Sequence, residues 1–137
     1  MIDAKELRIG NWVSENVLGY CRVHGANTTY AYLEINNLTI DKKPEMVIYT
    51  INTSSLSPIP LTPDILGKCG FEQERESVLY FKISIGELLI SCRLEYNTFY
   101  VSEGEHDIIE VGYKIQSLHQ LQNLYFSLTQ KELEIKL

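Results

Sequence analysis

His119 and Asn123 are the two residues whose types and spacing best suit chemistry. They stand four residues apart in a segment with helical periodicity, so both lie on one polar side of a helix. A helix N-terminus disfavours imidazolium, so we expect a histidine at this position to tend towards the neutral form. A neutral histidine beside the thiol of Cys92 would pair a general base with a nucleophile. The alternative is that His119 and Asn123 only fix hydrogen bonds between the helix and a loop.

The cysteines and the acidic residues indicate neither a disulfide framework nor a metal site. Cys21, Cys69 and Cys92 are isolated and odd in number, which fits a reducing compartment. We expect Cys69 and Cys92 to be packed thiols, one at a helix end and one on the apolar face of a strand. The acidic loop at residues 102–107 lacks the ligand spacing of EF-hand or helical zinc sites. Glycine-rich phosphate loops are also absent, so the sequence predicts no catalytic residue, metal or cofactor.

The net charge of −6 disfavours nucleic-acid binding, because an acidic protein gains little attraction to phosphates. Residues 1–60 contain five Lys/Arg and six Asp/Glu, a net of −1. Residues 61–137 contain seven and twelve, a net of −5. An N-terminal nucleic-acid site stays open as an alternative, and its plausible phosphate contacts are Arg8, Arg22, Lys42 and Lys43.

Nine tyrosines are the one compositional excess, and several of them fall in the N-terminal strands. Tyr30 and Tyr32 share a face because side chains alternate along a strand, and Tyr49 lies on the next predicted strand. If these three are exposed, they form an interaction face for a protein or peptide, since tyrosine is enriched at interface hot spots. If they are buried, they fill the interior of a small barrel.

Residues 1–57 predict a small β-barrel-like subdomain of SH3-like type. Four or five short strands rich in β-forming residues alternate with Gly and Asn turns at intervals of ten to fifteen residues. The predicted strands include residues 19–23, 29–35 and 45–51. Pro58 and Pro60 then form a stiff, extended joint.

Residues 58–137 predict a second, α+β subdomain, which shares its core with the first or stands alone. A short helix follows Thr62 as N-cap and Pro63 as first residue, and Gly70 terminates it. Four strands follow at residues 78–83, 88–94, 98–101 and 108–113, with a final edge strand at 132–135. The predicted fold class is therefore α+β: an SH3-like barrel unit followed by an antiparallel sheet packed with two helices.

The C-terminal helix has its own start and its own apolar stripe. Ser117 is the predicted N-cap, and Gln120 closes a capping box with it. The stripe follows at spacings of three and four residues: Leu118, Leu121, Tyr125 and Leu128. We expect this helix to cover the apolar face of the second sheet.

Three landmarks carry a resemblance to a known family: residues 6–13 (ELRIGNWV), residues 58–62 (PIPLT) with 70–72 (GFE), and residues 119–126 (HQLQNLYF). On these the chain resembles a group of small uncharacterised proteins from Bacteroidetes-type gut bacteria and their phages or prophages. The resemblance implies an accessory role in a phage or mobile element. It implies no catalytic or binding residues.

The sequence favours a cytoplasmic, non-enzymatic protein over an enzyme. No apolar run approaches the roughly 18 residues of a membrane span, and the N-terminus has no apolar core typical of a signal peptide. The leading hypothesis is an accessory protein that acts through protein–protein interaction, with another protein or with a second copy as partner. The alternatives are a nucleic-acid-binding factor and an enzyme with a site near His119.

Overall fold

The computed structural model describes residues 2–38, 44–74, 79–103 and 106–137 of the chain. The chain divides into two compact units. The N-terminal unit comprises Met1–Ile59 and Ser117–Glu132, and the second unit comprises Pro60–Gln116 and Leu133–Leu137. Over the described residues each unit carries a five-stranded antiparallel sheet and one α-helix, so the predicted α+β class is confirmed.

The strands of the N-terminal sheet alternate between residues that face the core and residues that face away from it. The strands are β1 (Trp12–Glu15), β2 (Gly19–Ala26), β3 (Tyr30–Leu38), β4 (Pro44–Asn52) and β5 (Leu56–Ser57). Their order is β4-β3-β2-β1-β5. Alternate residues of β2 and β3 point into the core and are fully buried: Cys21, Val23, Ala31 and Leu33. Period-2 burial of this kind is typical of an antiparallel sheet with one apolar face.

The turn between β2 and β3 is built by Asn27. Its Oδ1 atom accepts hydrogen bonds from the backbone N–H groups of Thr29 and Tyr30, both at 2.8 Å. Asparagine favours turns because its side chain can bond to the backbone two residues on. The turn brings Tyr30 to the start of β3, and the β2–β3 ladder contains one irregularity, between Val23 and Gly25.

The SH3-like barrel predicted for this unit is not confirmed, because its sheet is open. A 3₁₀ turn, Thr53–Ser55, separates β4 from β5, and β5 then pairs with β1. In the described part of the chain no ladder joins β4 to β5. Strand β5 has two residues, and both pair with β1 at the edge opposite β4.

Helix α2 runs Leu118–Thr129, as the apolar stripe predicts, and belongs to the N-terminal unit. This differs from the predicted subdomain division, which places α2 with residues 58–137 and against the second sheet. Ser117 is the N-cap residue, but its hydroxyl makes no capping bond and contacts the ring of His119 instead. The helix buries three leucines: Leu118, Leu121 and Leu124.

Helix α1, Pro63–Lys68, has the ends that its sequence predicts. Thr62 Oγ1 accepts a hydrogen bond from the N–H of Ile65 at 3.2 Å. Gly70 follows the helix with a φ of +88°, a left-handed conformation that glycine adopts without strain. Both ends are decided by neighbouring residues, which is why the sequence predicts them correctly.

In the sheet of the second unit, strands that are consecutive in the chain are also neighbours in the sheet. These are β6 (Glu72–Gln73), β7 (Tyr80–Ile85), β8 (Leu88–Arg93), β9 (Thr98–Glu103) and β10 (His106–Glu110). Their order is β10-β9-β8-β7-β6. Gly86 and Asn97, both with positive φ, lie at the tight connections expected from the sequence. Residues 132–135, predicted as a final edge strand, form no strand.

Candidate functional site

The ring of His119 is 2% exposed and has a neighbour at each nitrogen. Nδ1 lies 3.1 Å from Ser117 Oγ, and Nε2 lies 3.1 Å from Glu6 Oε2. A hydroxyl, an imidazole and a carboxylate in one row are the parts of a nucleophilic triad. Ser117, however, is only 4% exposed, so its hydroxyl is not open to a substrate. The row instead holds the start of α2 against the N-terminal segment.

Asn123 joins the same helix to the segment that precedes β1. Its Nδ2 donates to the backbone oxygen of Glu6 at 2.7 Å, and its Oδ1 accepts from Asn11 Nδ2 at 2.9 Å. Asn11 is fully buried, and its own Oδ1 accepts the backbone N–H of Arg8 at 2.7 Å. The predicted polar pair His119 and Asn123 therefore has internal hydrogen-bond partners, as the structural alternative expects.

Gln122 completes this arrangement, although the sequence analysis did not single it out. Its Oε1 accepts the backbone N–H of Trp12 at 2.7 Å, and its Nε2 donates to the backbone oxygen of Gly10 at 3.0 Å. The side chain is 2% exposed. A glutamine between two buried leucines of one helix is the pattern that could have revealed it, since a buried amide needs backbone partners.

Arg8 lies over the outer turns of α2. Its guanidinium carbon is 4.2 Å from the ring centroid of Phe126, its Nε donates to Asn123 Oδ1 at 3.2 Å, and it forms an ion pair with Glu132. We call the side chains of Arg8, Asn11, His119, Gln122 and Asn123 the clasp. All five members lie in two of the sequence landmarks, residues 6–13 and 119–126, and their hydrogen bonds are internal. The clasp is therefore structural.

The three thiols are unsuited to nucleophilic chemistry. Burial raises the pKa of Cys92 to about 12 and that of Cys69 to about 12. Burial, and secondly the charge of Glu15, raises the pKa of Cys21. A thiol reacts as its thiolate, so Cys92 at neutral pH is a protonated core residue, which the sequence also predicted. His119 lies in the other unit, with both ring nitrogens already in contact.

Metal and small-molecule sites gain no support from the described residues. No group of three or more His, Cys, Asp or Glu residues in that part of the chain could hold a metal ion. The acidic loop lies partly outside it. The second unit has an open pocket with a volume of about 130 Å³, which is smaller than the several hundred Å³ usual for ligand sites. Lys114, which lines it, donates to the backbone oxygen of Tyr96 at 3.0 Å.

Tyr30 and Tyr32 are exposed, at 46% and 41%, and point to the same side of β3. The strand register extends this surface on both sides. Glu34, two residues beyond Tyr32, pairs with Ile48 on β4 and with Arg22 on β2. Ile48 is 46% exposed. Tyr20, which lies two residues before Arg22, is 50% exposed. We call Tyr20, Tyr30, Tyr32 and Ile48 the tyrosine face.

Tyr49 does not belong to the tyrosine face, which corrects the predicted trio. It pairs with Leu33, and directly opposed residues of an antiparallel ladder point to the same side. Leu33 is fully buried, so Tyr49 points to the core side of the sheet, where its position on an edge strand leaves it 36% exposed. The period-2 rule relates residues within one strand, whereas relating Tyr49 to Tyr32 needs the register between strands.

The tyrosine face is supported from below and contains charges that compensate one another. A Cβ atom placed on Gly25 would lie 3.4 Å from Tyr32 Cδ2, so the ring packs directly over this glycine. Beside it, Arg22 Nη2 and His24 Nδ1 lie 4.0 and 3.7 Å from Glu34 Oε2. Tyr32 thus packs against the neighbouring strand, and Arg22 and Glu34 on the same face carry opposite charges.

The chain matches no protein-family model, no curated protein and no solved structure. Family membership is therefore not shown, and the resemblance to the Bacteroidetes and phage group stays a prediction. None of the helices in the described residues is both long and apolar enough to cross a membrane.

Proposed function

We propose that this chain is a non-enzymatic accessory protein that binds another protein through the tyrosine face. The observation that carries the proposal is the exposure of four large side chains on one side of three adjacent strands. Exposed apolar side chains are ordinary when scattered singly. Several on one side of a sheet, with Tyr32 and Ile48 at neighbouring register positions, are typical of an interaction site. Tyrosine suits such contacts because it offers a large apolar ring, a hydroxyl and few rotatable bonds.

A protein surface fits the tyrosine face better than a nucleic acid does. Arg8 is bound within the clasp, and Arg22 lies 4.0 Å from Glu34 on the face itself. Lys42 and Lys43 lie outside the described residues. With the net charge at −6, little positive charge is left to neutralise phosphates, which supply most of the affinity of non-specific nucleic-acid binding.

An enzymatic role has less support, because the candidate groups are used in packing. The row of Ser117, His119 and Glu6 joins α2 to the N-terminal segment, and Cys92 is a buried thiol with a raised pKa. The geometry therefore favours a protein that binds over one that transforms a substrate.

The proposal also covers the biological setting of the protein and the fold type of its N-terminal sheet. The resemblance supports a role in a phage, prophage or mobile element. The isolated cysteines, which fit a reducing compartment, support a cytoplasmic location. The order of elements in the N-terminal unit supports a relation to SH3-like sheets. Strands β1 to β4 pair antiparallel in chain order, and a 3₁₀ turn, Thr53–Ser55, then leads to a last strand that returns to β1.

The test is an affinity pull-down of the tagged protein from native host lysate, treated with nuclease and quantified by mass spectrometry. The variant Tyr30→Ser/Tyr32→Ser removes two rings of the tyrosine face. The matched control Tyr96→Ser/Tyr113→Ser removes two tyrosines of the second unit, each 58% exposed. We expect a protein partner that the wild type and the control retain and that the tyrosine-face variant loses.

Binding of the purified partner should then weaken by about 100-fold or more in the tyrosine-face variant, since each hot-spot ring contributes about 2 kcal/mol. Far-UV circular dichroism should be the same for all three proteins, which separates loss of contact from loss of fold. A partner that binds both variants equally would refute the proposal, and so would a partner that nuclease removes.

A further inference from the structure

Strand β4 is an uncovered edge of the N-terminal sheet. It pairs with β3 on one side, and in the described part of the chain no strand lies on the other. Ile48 and Tyr49 are adjacent and point to opposite faces, yet they are 46% and 36% exposed. Among the described residues, none fully covers Ile48 or Tyr49, so both faces of the strand are partly open at these two positions.

Beyond Pro44 and Glu45 at its start, strand β4 lacks the usual features that prevent pairing with another strand. Natural edges carry charged side chains, prolines or bulges for that purpose. Residues 46–52 contain no charged residue and no proline, and five of the seven are Val, Ile, Tyr or Thr, which favour strands. The ladder to β3 shows no shift of register along the whole of β4.

The edge of the second sheet is protected in ways that β4 is not. Strand β10 also exposes large residues, Ile108 at 75% and Ile109 at 67%. Its ladder to β9, however, shifts register between His106 and Ile109. Glu110 on β10 adds an acidic side chain, and the second unit holds most of the negative charge of the chain. Pairing of two such edges would be opposed by both geometry and charge.

We propose that β4 pairs antiparallel with β4 of a second copy, joining two N-terminal sheets into one. Antiparallel pairing of a strand with itself is two-fold symmetric, so one self-complementary strand suffices for a closed dimer. The tyrosine faces of the two copies would then lie on the same side of the joined sheet. This inference goes beyond the proposed function, because it holds whether or not the tyrosine face binds a partner.

Charge is what selects a second copy as the occupant. The N-terminal unit has six Lys/Arg and seven Asp/Glu, a net of −1, whereas the second unit has six and eleven, a net of −5. Two N-terminal units can therefore approach with little repulsion. A charged peptide would find no opposite charges along residues 46–52, whereas the same uncharged segment of a second copy leaves no charge unpaired there.

The experiment combines sedimentation velocity with hydrogen exchange on the wild-type protein at concentrations up to about 1 mM, a range that also detects weak association. We expect a dimer, with slower amide exchange in residues 47–52 as the concentration rises. The variant Ile48→Lys/Thr50→Lys places two like charges on the edge and should weaken dimerisation about tenfold or more.

The matched control Ile9→Lys/Val17→Lys adds the same charge at two residues that are 67% and 88% exposed and that lie outside both β4 and the tyrosine face. It should dimerise like the wild type. A wild type that stays monomeric, or a dimer that keeps its affinity in the β4 variant, would overturn the proposal. A dimer broken by Tyr30→Ser/Tyr32→Ser with unchanged exchange in β4 would also overturn it, while supporting the tyrosine face as a contact surface.

Discussion

The two units carry sheets with the same number of strands, but the two sheets differ in how far apart in the chain their paired strands lie. In the second unit β6 to β10 pair in chain order, so every ladder joins strands that are neighbours in sequence. In the N-terminal unit the last strand returns to β1, and α2 is bound to residues 6–12 by hydrogen bonds that span 110 to 117 residues of chain. The N-terminal unit thus depends on buried polar contacts between distant segments, whereas the sheet of the second unit is joined by local turns.

The largest expected effect tests the clasp directly. Gln122→Ala leaves the N–H of Trp12 and the oxygen of Gly10 without their partner in a buried place, so it should lower the free energy of unfolding of the N-terminal unit by about 3 kcal/mol. Trp12 is the single tryptophan, so urea unfolding followed by its fluorescence reports on this unit.

The control for Gln122→Ala is Leu128→Ala, a truncation on the same helix at a side chain that is 38% exposed. It should cost less than about 1 kcal/mol, because little buried surface is lost. Equal losses in the two variants would mean that the clasp contributes nothing beyond helix packing, and the contrast between the units would fail.

The next effect tests the dependence of the second unit on local turns. Gly70→Ala should destabilise this unit by about 1 to 2 kcal/mol, because a side chain at a φ of +88° is strained. Gly67→Ala, three residues earlier within α1, should instead stabilise it by about 0.5 to 1 kcal/mol, since its Cβ would meet open space. Amide exchange in β7 to β9 measures the change in stability for both variants. If both variants stabilise the second unit, or both destabilise it, this account is wrong.

The smallest effect separates the geometry of Arg8 from its charge. Arg8→Lys keeps the positive charge but loses the flat stacking on Phe126 and the fork that faces Glu132, so it should cost about 1 kcal/mol. Arg22→Lys is the control, because its distance of 4.0 Å to Glu34 marks a loose pair on the surface. Unfolding followed by Trp12 fluorescence should shift for Arg8→Lys and stay unchanged for Arg22→Lys.

The candidate interaction face was only partly predictable from the sequence. That Tyr30 and Tyr32 share a side follows from strand periodicity alone. Their exposure, which the sequence left open, depends on which face of the sheet meets the core. Tyr49 was grouped with them although it points to the other side, and Ile48 was missed, because placing either residue requires the register between β3 and β4.

The sequence by itself determined the local structure: the cap of α1 at Thr62, its end at Gly70, and the extent of α2 over residues 118–129. These features arise from hydrogen bonds and backbone preferences among residues a few positions apart. Only the tertiary structure decided that α2 lies with the N-terminal sheet, that this sheet stays open, and that His119 and Gln122 act in packing. Each of those outcomes depends on a buried group finding a partner about 110 residues away or on an opposing strand, which no local pattern encodes.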